Sequence, residues 1–135
     1  MTERTHPSRR LRVLAERFAI LRLEPDAAQP RWLAPGPLVS VTRTQDELSV
    51  LCPEHMLPEE AAARRGLRAL RVEGPLAFEE IGILAALLDP LARAGLSILA
   101  VSTYQTDYVL VEEDTLAAAA EALRDAGHQV EGAVR

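Results

Sequence analysis

Ser97-Ile98-Leu99-Ala100-Val101-Ser102 and Asp107-Tyr108-Val109-Leu110-Val111-Glu112 are two nearly continuous apolar runs parted by the polar tetrad Thr103-Tyr104-Gln105-Thr106. Runs this short and this apolar suit strands buried on both faces, so the pair is predicted as two central strands joined by a hairpin. Upstream, Glu79–Ala94 carries Leu84, Leu87, Leu88 and Leu91 at three- and four-residue intervals, which is the period of an amphipathic helix, and Gly95 supplies its stop. Pro90 should kink or restart that helix, because it has no N–H to give and its ring crowds the preceding turn. Leu67–Val72 alternates imperfectly between apolar residues and Arg68 and Arg71, and reads as a strand. Downstream, Thr115–Ala126 sets Leu116, Ala119, Ala120 and Leu123 on one face, follows Asp114 as a capping-type residue and ends at Gly127. His128–Val130 then begins a last strand. From Leu67 onward the order is β-α-β-β-α-β: a ferredoxin-like α+β unit, with an antiparallel sheet and both helices on one face.

The N-terminal half has weaker punctuation. Residues 1–10 are polar and lack periodicity, which predicts a frayed tail. Leu11–Leu14 and Phe18–Leu23 are short apolar or alternating runs ahead of the Pro-rich loop Glu24–Pro37, whose Trp32 is expected to plug the core. Leu38–Thr44 and Glu47–Cys52 flank Gln45-Asp46, a polar pair of the length a tight hairpin needs. Glu59–Arg65 has the Ala, Glu and Arg content of a short helix, stopped by Gly66. Residues 11–66 thus read as a degraded copy of the C-terminal order in 67–135, with its first helix largely replaced by a loop.

The bulk numbers exclude several function classes. With 15 basic residues, all of them Arg, against 20 acidic ones, the net charge is −5, the wrong sign for a chain that must displace counterions from phosphates. Nucleic acid is therefore not an expected partner. The most membrane-like stretch, Ile81–Val101, holds Asp89, Pro90 and Arg93 near its middle, where charge is costly in a bilayer. A single cysteine, Cys52, allows no intrachain disulfide, and a reducing cytoplasmic compartment fits best.

The element order, together with Gly95-Leu96-Ser97-Ile98-Leu99-Ala100-Val101-Ser102-Thr103-Tyr104, resembles ACT domains. More specifically, Ser102-Thr103-Tyr104-Gln105-Thr106-Asp107-Tyr108-Val109-Leu110-Val111 is similar to a segment of small bacterial double-ACT proteins and of the ACT units of the animal cytosolic arginine sensor. Ser40-Val41-Thr42-Arg43-Thr44-Gln45-Asp46-Glu47-Leu48-Ser49-Val50-Leu51-Cys52-Pro53-Glu54 resembles the first half of the bacterial group. The resemblance implies two ACT-like units in tandem and a regulatory protein that holds a free amino acid at an ACT–ACT interface. A homodimer is a further expectation, since ACT-like sheets leave edges to be covered. No catalytic activity and no cofactor are implied. The first half departs from the pattern in lacking a proper first helix, so a complete site of its own is not implied there.

A free amino acid presents an ammonium and a carboxylate, and needs acceptors, donors and a wall. The start of the Glu79–Ala94 helix offers unpaired N–H groups for the carboxylate. Within it Gly82 costs about 1 kcal/mol relative to Ala, a cost that either ligand approach or helix-on-sheet packing would explain. Asp107 is placed to hold the ammonium, beside Thr103 and Tyr104; local turn capping is its structural alternative. The resemblance to the arginine sensor implies an acidic residue at Glu80, to pair with a cationic ligand side chain, although any first helical turn favours acids. Phe78 and Tyr104 are candidate walls. The candidate ligand set is Glu80, Gly82, Ile83, Thr103, Tyr104 and Asp107.

Cys52 and His55 have Cys-x-x-His spacing, but His6 and His128 do not complete a zinc motif, so Cys52 reads as a small buried strand residue. Glu79-Glu80 and Glu112-Glu113 are chain neighbours whose side chains diverge, which does not suit shared-proton catalysis. No phosphate loop, nucleophile elbow or zinc-protease motif is present in the sequence. An assembly module without a ligand is the alternative function of a different class.

Overall fold

The computed structural model describes residues 8–74 and 81–134. Its strands and helices follow in the order β1 (Arg10–Leu23), β2 (Ser40–Arg43), β3 (Leu48–Pro53), β4 (Arg64–Val72), α1 (Ile83–Arg93), β5 (Leu99–Ser102), β6 (Asp107–Glu112), α2 (Leu116–Asp125) and β7 (Gln129–Glu131), with single 3-10 turns at Glu54–Met56 and Glu113–Thr115. Two compact units result. One comprises the described residues up to Ala15 together with those from Arg68 onward; the other is Glu16–Leu67.

In the first unit the strand order is β7-β1-β4-β6-β5. From β4 the chain runs β-α-β-β-α-β, as its periodicities predict. One feature of the sheet departs from a simple ferredoxin-like unit: β7 pairs in parallel with the start of β1, in the register Arg10↔Gln129 and Leu11↔Val130. Leu11 and Val13 of β1, Leu70 and Val72 of β4, and Val109 and Val111 of β6 lie two residues apart and so line one face of their strands. Against that face pack Leu87 and Leu91 of α1 and Leu116, Ala120 and Leu123 of α2. Truncating any of these fully buried leucines to Ala removes about 2–5 kcal/mol.

β5 and β6 pair antiparallel with Ser102 opposite Asp107. β6 is an interior strand, but β5 lies at the edge of its unit, not in the centre. Its residues alternate between half-buried and exposed along the strand. An apolar run reports affinity for burial without saying how many neighbours the fold supplies.

The start of α1 also differs from expectation. Gly82 is its N-cap, at φ 78° and ψ 8°, so this glycine is outside the helix interior and its presence answers a left-handed backbone. The predicted residues Glu79 and Glu80 lie outside the described residues. α1 nevertheless continues through Pro90 without interruption. Pro90 deprives the Ala86 carbonyl of its usual donor four residues on. The imidazole of His128, 6% exposed, replaces that donor: Nδ1 accepts the Arg9 N–H at 3.0 Å, which leaves the proton on Nε2 to be donated to the Ala86 carbonyl at 3.1 Å. At the other end of α1, Gly95 at φ 76° and the Leu96 N–H to Leu91 carbonyl bond form the predicted glycine stop.

α2 begins at Leu116, and its N-cap residue Thr115 makes no side-chain capping bond. Asp114 instead sits inside the 3-10 turn, and Thr115 turns its hydroxyl back to the Glu112 carbonyl at 2.9 Å.

In the second unit the strand order is β2-β3-β1. The Leu11–Leu14 and Phe18–Leu23 runs prove to be parts of one strand, since Ala15-Glu16-Arg17 contains neither Gly nor Pro to break it. β2 and β3 form the predicted hairpin around Gln45-Asp46, closed by the Thr44 N–H to Glu47 carbonyl bond of 2.9 Å. Ala19, Leu21, Leu48, Val50 and Cys52 make a small core, against which Trp32 packs half-buried. The helix predicted over Glu59–Arg65 is absent. There the Arg65 guanidinium donates to the carbonyls of Pro58 and Ala61 at 3.0 and 2.9 Å, engaging backbone acceptors a helix would use, and β4 begins at Arg64.

Candidate amino-acid site

Three of the candidate residues share the β5–β6 turn. The turn is closed by the Thr103 N–H to Thr106 carbonyl bond of 2.8 Å, while the Thr103 hydroxyl accepts the Thr106 N–H at 3.2 Å. Thr103 is therefore engaged in shaping the turn. Tyr104 projects from it, 92% exposed, and forms no wall in the isolated chain. Asp107 is half-buried opposite Ser102, whose hydroxyl donates to Oδ1 at 2.6 Å. A hydroxyl bond to one oxygen orients a carboxylate without neutralising it, so the second oxygen can still receive an ammonium.

Two further residues escaped the sequence reading. Ser102 aims Asp107. Thr106, 3% exposed, donates its hydroxyl to the carbonyl of Val72, the last residue of β4, at 2.6 Å. That bond fixes the hairpin turn to the end of the strand from which the chain departs towards α1. A threonine at the closing position of a polar tetrad, followed at once by an apolar strand, is the only signal the sequence offered for it.

Gly82 and Ile83 stand together at the start of α1. Ile83 is 8% exposed and its side chain belongs to the core, so what it offers a ligand is its backbone N–H. Among the described residues no side chain caps this end, and the first turn of α1 holds no acidic residue, leaving amides and the positive end of the helix dipole for a carboxylate. Glu80 and Phe78 lie outside the described residues. The turn thus gathers Thr103, Tyr104 and Asp107, and the helix start gathers Gly82 and Ile83.

The metal and thiol alternatives have a plain geometric answer. Among the described residues no group of three His, Cys, Asp or Glu side chains is placed to hold a metal ion. Cys52 is fully buried in β3 opposite Ala19, and that burial pushes its thiol above the ordinary range, away from the nucleophilic thiolate. Among the described residues no helix is long and apolar enough to cross a membrane.

The sequence model of the ACT domain matches residues 62–125, which include the turn, α1 and every candidate ligand residue. Residues 62–125 belong to the ACT domain family. A second family model, of an N-terminal domain, matches residues 16–60. The cytosolic arginine sensor for mTORC1 subunit 1 of Homo sapiens, like that of Bos taurus, is 41% identical over 58 residues, which are 42% of this chain and 18% of the sensor. This ACT chain therefore spans less than a fifth of the curated relatives it matches. A solved structure of a protein from Agobacterium tumefaciens is 36% identical, with a TM-score of 0.87 over 93% of this chain and 94% of that one. The regulatory subunit of aspartate kinase from Thermus thermophilus shares the fold, with a TM-score of 0.61 at 15% identity over 85% of this chain and 97% of that one.

Proposed function

We propose that this ACT protein is a regulatory module that binds a free amino acid. The ligand's carboxylate meets the amides at the start of α1 and its ammonium meets Asp107, with Glu80, Gly82, Ile83, Thr103 and Tyr104 completing the contacts. The observation that carries the reading is that all six residues fall within the ACT match of residues 62–125, in a fold shared with a regulatory subunit of aspartate kinase. In this proposal a second ACT unit covers the ligand from the open side, within a cytoplasmic homodimer. That cover would give Tyr104, 92% exposed in the single chain, the neighbour it lacks.

Calorimetric titration with each free amino acid tests the proposal. One of them should bind with a dissociation constant of about 1–100 µM, equivalent to roughly −8 to −5.5 kcal/mol. Asp107→Ala should abolish that binding while the unfolding transition stays in place, because the residue is half-buried at the start of β6, outside the core. Wild-type affinity in the folded variant would refute the assignment of Asp107.

The second reading, an assembly module without a ligand, draws on the edge position of β5 and on Ile81 and Tyr104, each 92% exposed. It requires silence across the amino-acid set from ligand-free protein, together with a dimer that Tyr104→Ser dissociates.

A further inference from the structure

The Glu16–Leu67 unit contains a cavity of about 400 Å³, within the size range of small-molecule pockets. None of the candidate amino-acid-binding residues lines it. Side chains from β1, from the Glu54–Met56 turn, from the loop after it and from the start of β4 converge there. Pro53 and Leu57, both buried, supply an apolar wall, and the charged lining is Glu16, Arg17, Glu54, Glu59 and Arg65 beside His55.

The wall is built and held. Glu54 accepts the Gly66 N–H at 2.8 Å through one oxygen and lies 3.9 Å from the Arg17 guanidinium through the other. Gly66 directs that N–H from a left-handed backbone at φ 75°, a conformation that favours glycine. Arg65 is occupied by the carbonyls of Pro58 and Ala61. Both cationic side chains thus already have partners. The carboxylates of Glu16 and Glu59, by contrast, make no hydrogen bond or ion pair with any described residue, nor does the exposed imidazole of His55; Glu59 meets Arg65 only through its backbone carbonyl, at 3.4 Å.

The unspent capacity of the pocket is therefore for positive charge and for hydrogen-bond donors. An anion would meet two free carboxylates. A bare metal ion does not fit, since among the described residues no three His, Cys, Asp or Glu side chains approach closely enough to share one. What fits is a charge carried on a short apolar chain, long enough to reach separated carboxylates and able to lie along Pro53 and Leu57. We propose that this cavity binds a small aliphatic amine in its ammonium form, with Glu16 and Glu59 as counter-ions and His55 as an acceptor. The site is independent of the amino-acid reading above, because its lining residues all belong to the other unit.

Amide NMR of the full chain, titrated with 1,4-diaminobutane to about 10 mM against sodium chloride at equal ionic strength, tests it. Saturable shifts should appear at Glu16, His55 and Gly66 with the diamine and not with salt or with glutarate, the dianion of similar length. Glu16→Gln combined with Glu59→Gln should weaken the affinity at least tenfold. Should that double variant lose its dispersed spectrum, Glu59→Gln alone, at an exposed position, should weaken binding about threefold. Absence of saturable shifts at these amides, or equal affinity in the folded variants, overturns the proposal.

Discussion

Replacing His128 by Phe keeps a flat ring in the core but removes both of its hydrogen bonds. The Ala86 carbonyl, on a residue 4% exposed, then has neither the Pro90 nitrogen nor the imidazole as donor, and the Arg9 N–H loses its acceptor. Each polar group left unpaired costs about 1–3 kcal/mol, so for the two together a destabilisation of about 2–6 kcal/mol is expected. The sharper test is a double-mutant cycle with Pro90→Ala. Removing the proline relieves its ring crowding equally in both backgrounds, and that contribution cancels. Only in the His128→Phe background does the restored N–H at position 90 rescue a carbonyl that lacks a donor. Pro90→Ala should therefore stabilise His128→Phe by about 1 kcal/mol more than it stabilises the parent, measured by urea unfolding at constant slope. Additivity of the two substitutions within about 0.3–0.5 kcal/mol would show that the His128 bond does not stand in for the missing proline donor.

Cys52 has a raised thiol pKa through burial, so its contribution to stability is present in full below the unfolded thiol's pKa, about 8.5, and declines above it as the unfolded chain alone loses the proton. The stability difference between the parent and Cys52→Ala should accordingly shrink between about pH 8.5 and pH 10, and urea midpoints that keep a constant gap across that range would contradict it. Gly82→Ala forces a Cβ into the left-handed region at φ 78° and should cost about 1–2 kcal/mol, with Gly82→Asn costing less; thermal unfolding that ranks Ala above Asn would contradict the N-cap geometry. Arg68, 4% exposed, donates to the Leu14 and Ala133 carbonyls at 3.1 and 3.4 Å, so Arg68→Ala should destabilise by about 2–4 kcal/mol. A change below about 0.5 kcal/mol in denaturant unfolding would mean those carbonyls find other donors.

The sites divide in the same way as the folding features. Asp107, Thr103 and Tyr104 were legible because a polar tetrad between two apolar runs can hardly be anything but a hairpin turn. Ser102 and Thr106 were not, because each acts through a partner on another strand: Ser102 across the hairpin to Asp107, Thr106 to the carbonyl of Val72. The charged cavity of the other unit was equally hidden, since Glu16, Glu54 and Arg65 are far apart along the chain and individually read as solvated surface.

The sequence by itself determined the local order of the C-terminal elements, since helix and strand periods, glycine stops and a polar turn are all written within a few residues. It also determined that Cys52 is buried, from its place in an apolar strand. Tertiary structure alone decided that two short N-terminal runs are one strand, whose start pairs in parallel with β7, and that the apolar β5 lies at an edge. It decided, too, that Pro90 lies in an unbroken helix and that Glu59–Arg65 is not one. In both cases the outcome rests on a side chain bonding backbone carbonyls: His128, distant in sequence, supplies the donor Pro90 lacks, and Arg65 engages acceptors a helix would need. Local pattern measures what a segment prefers; the side chains that its backbone carbonyls find as donors settle what it does.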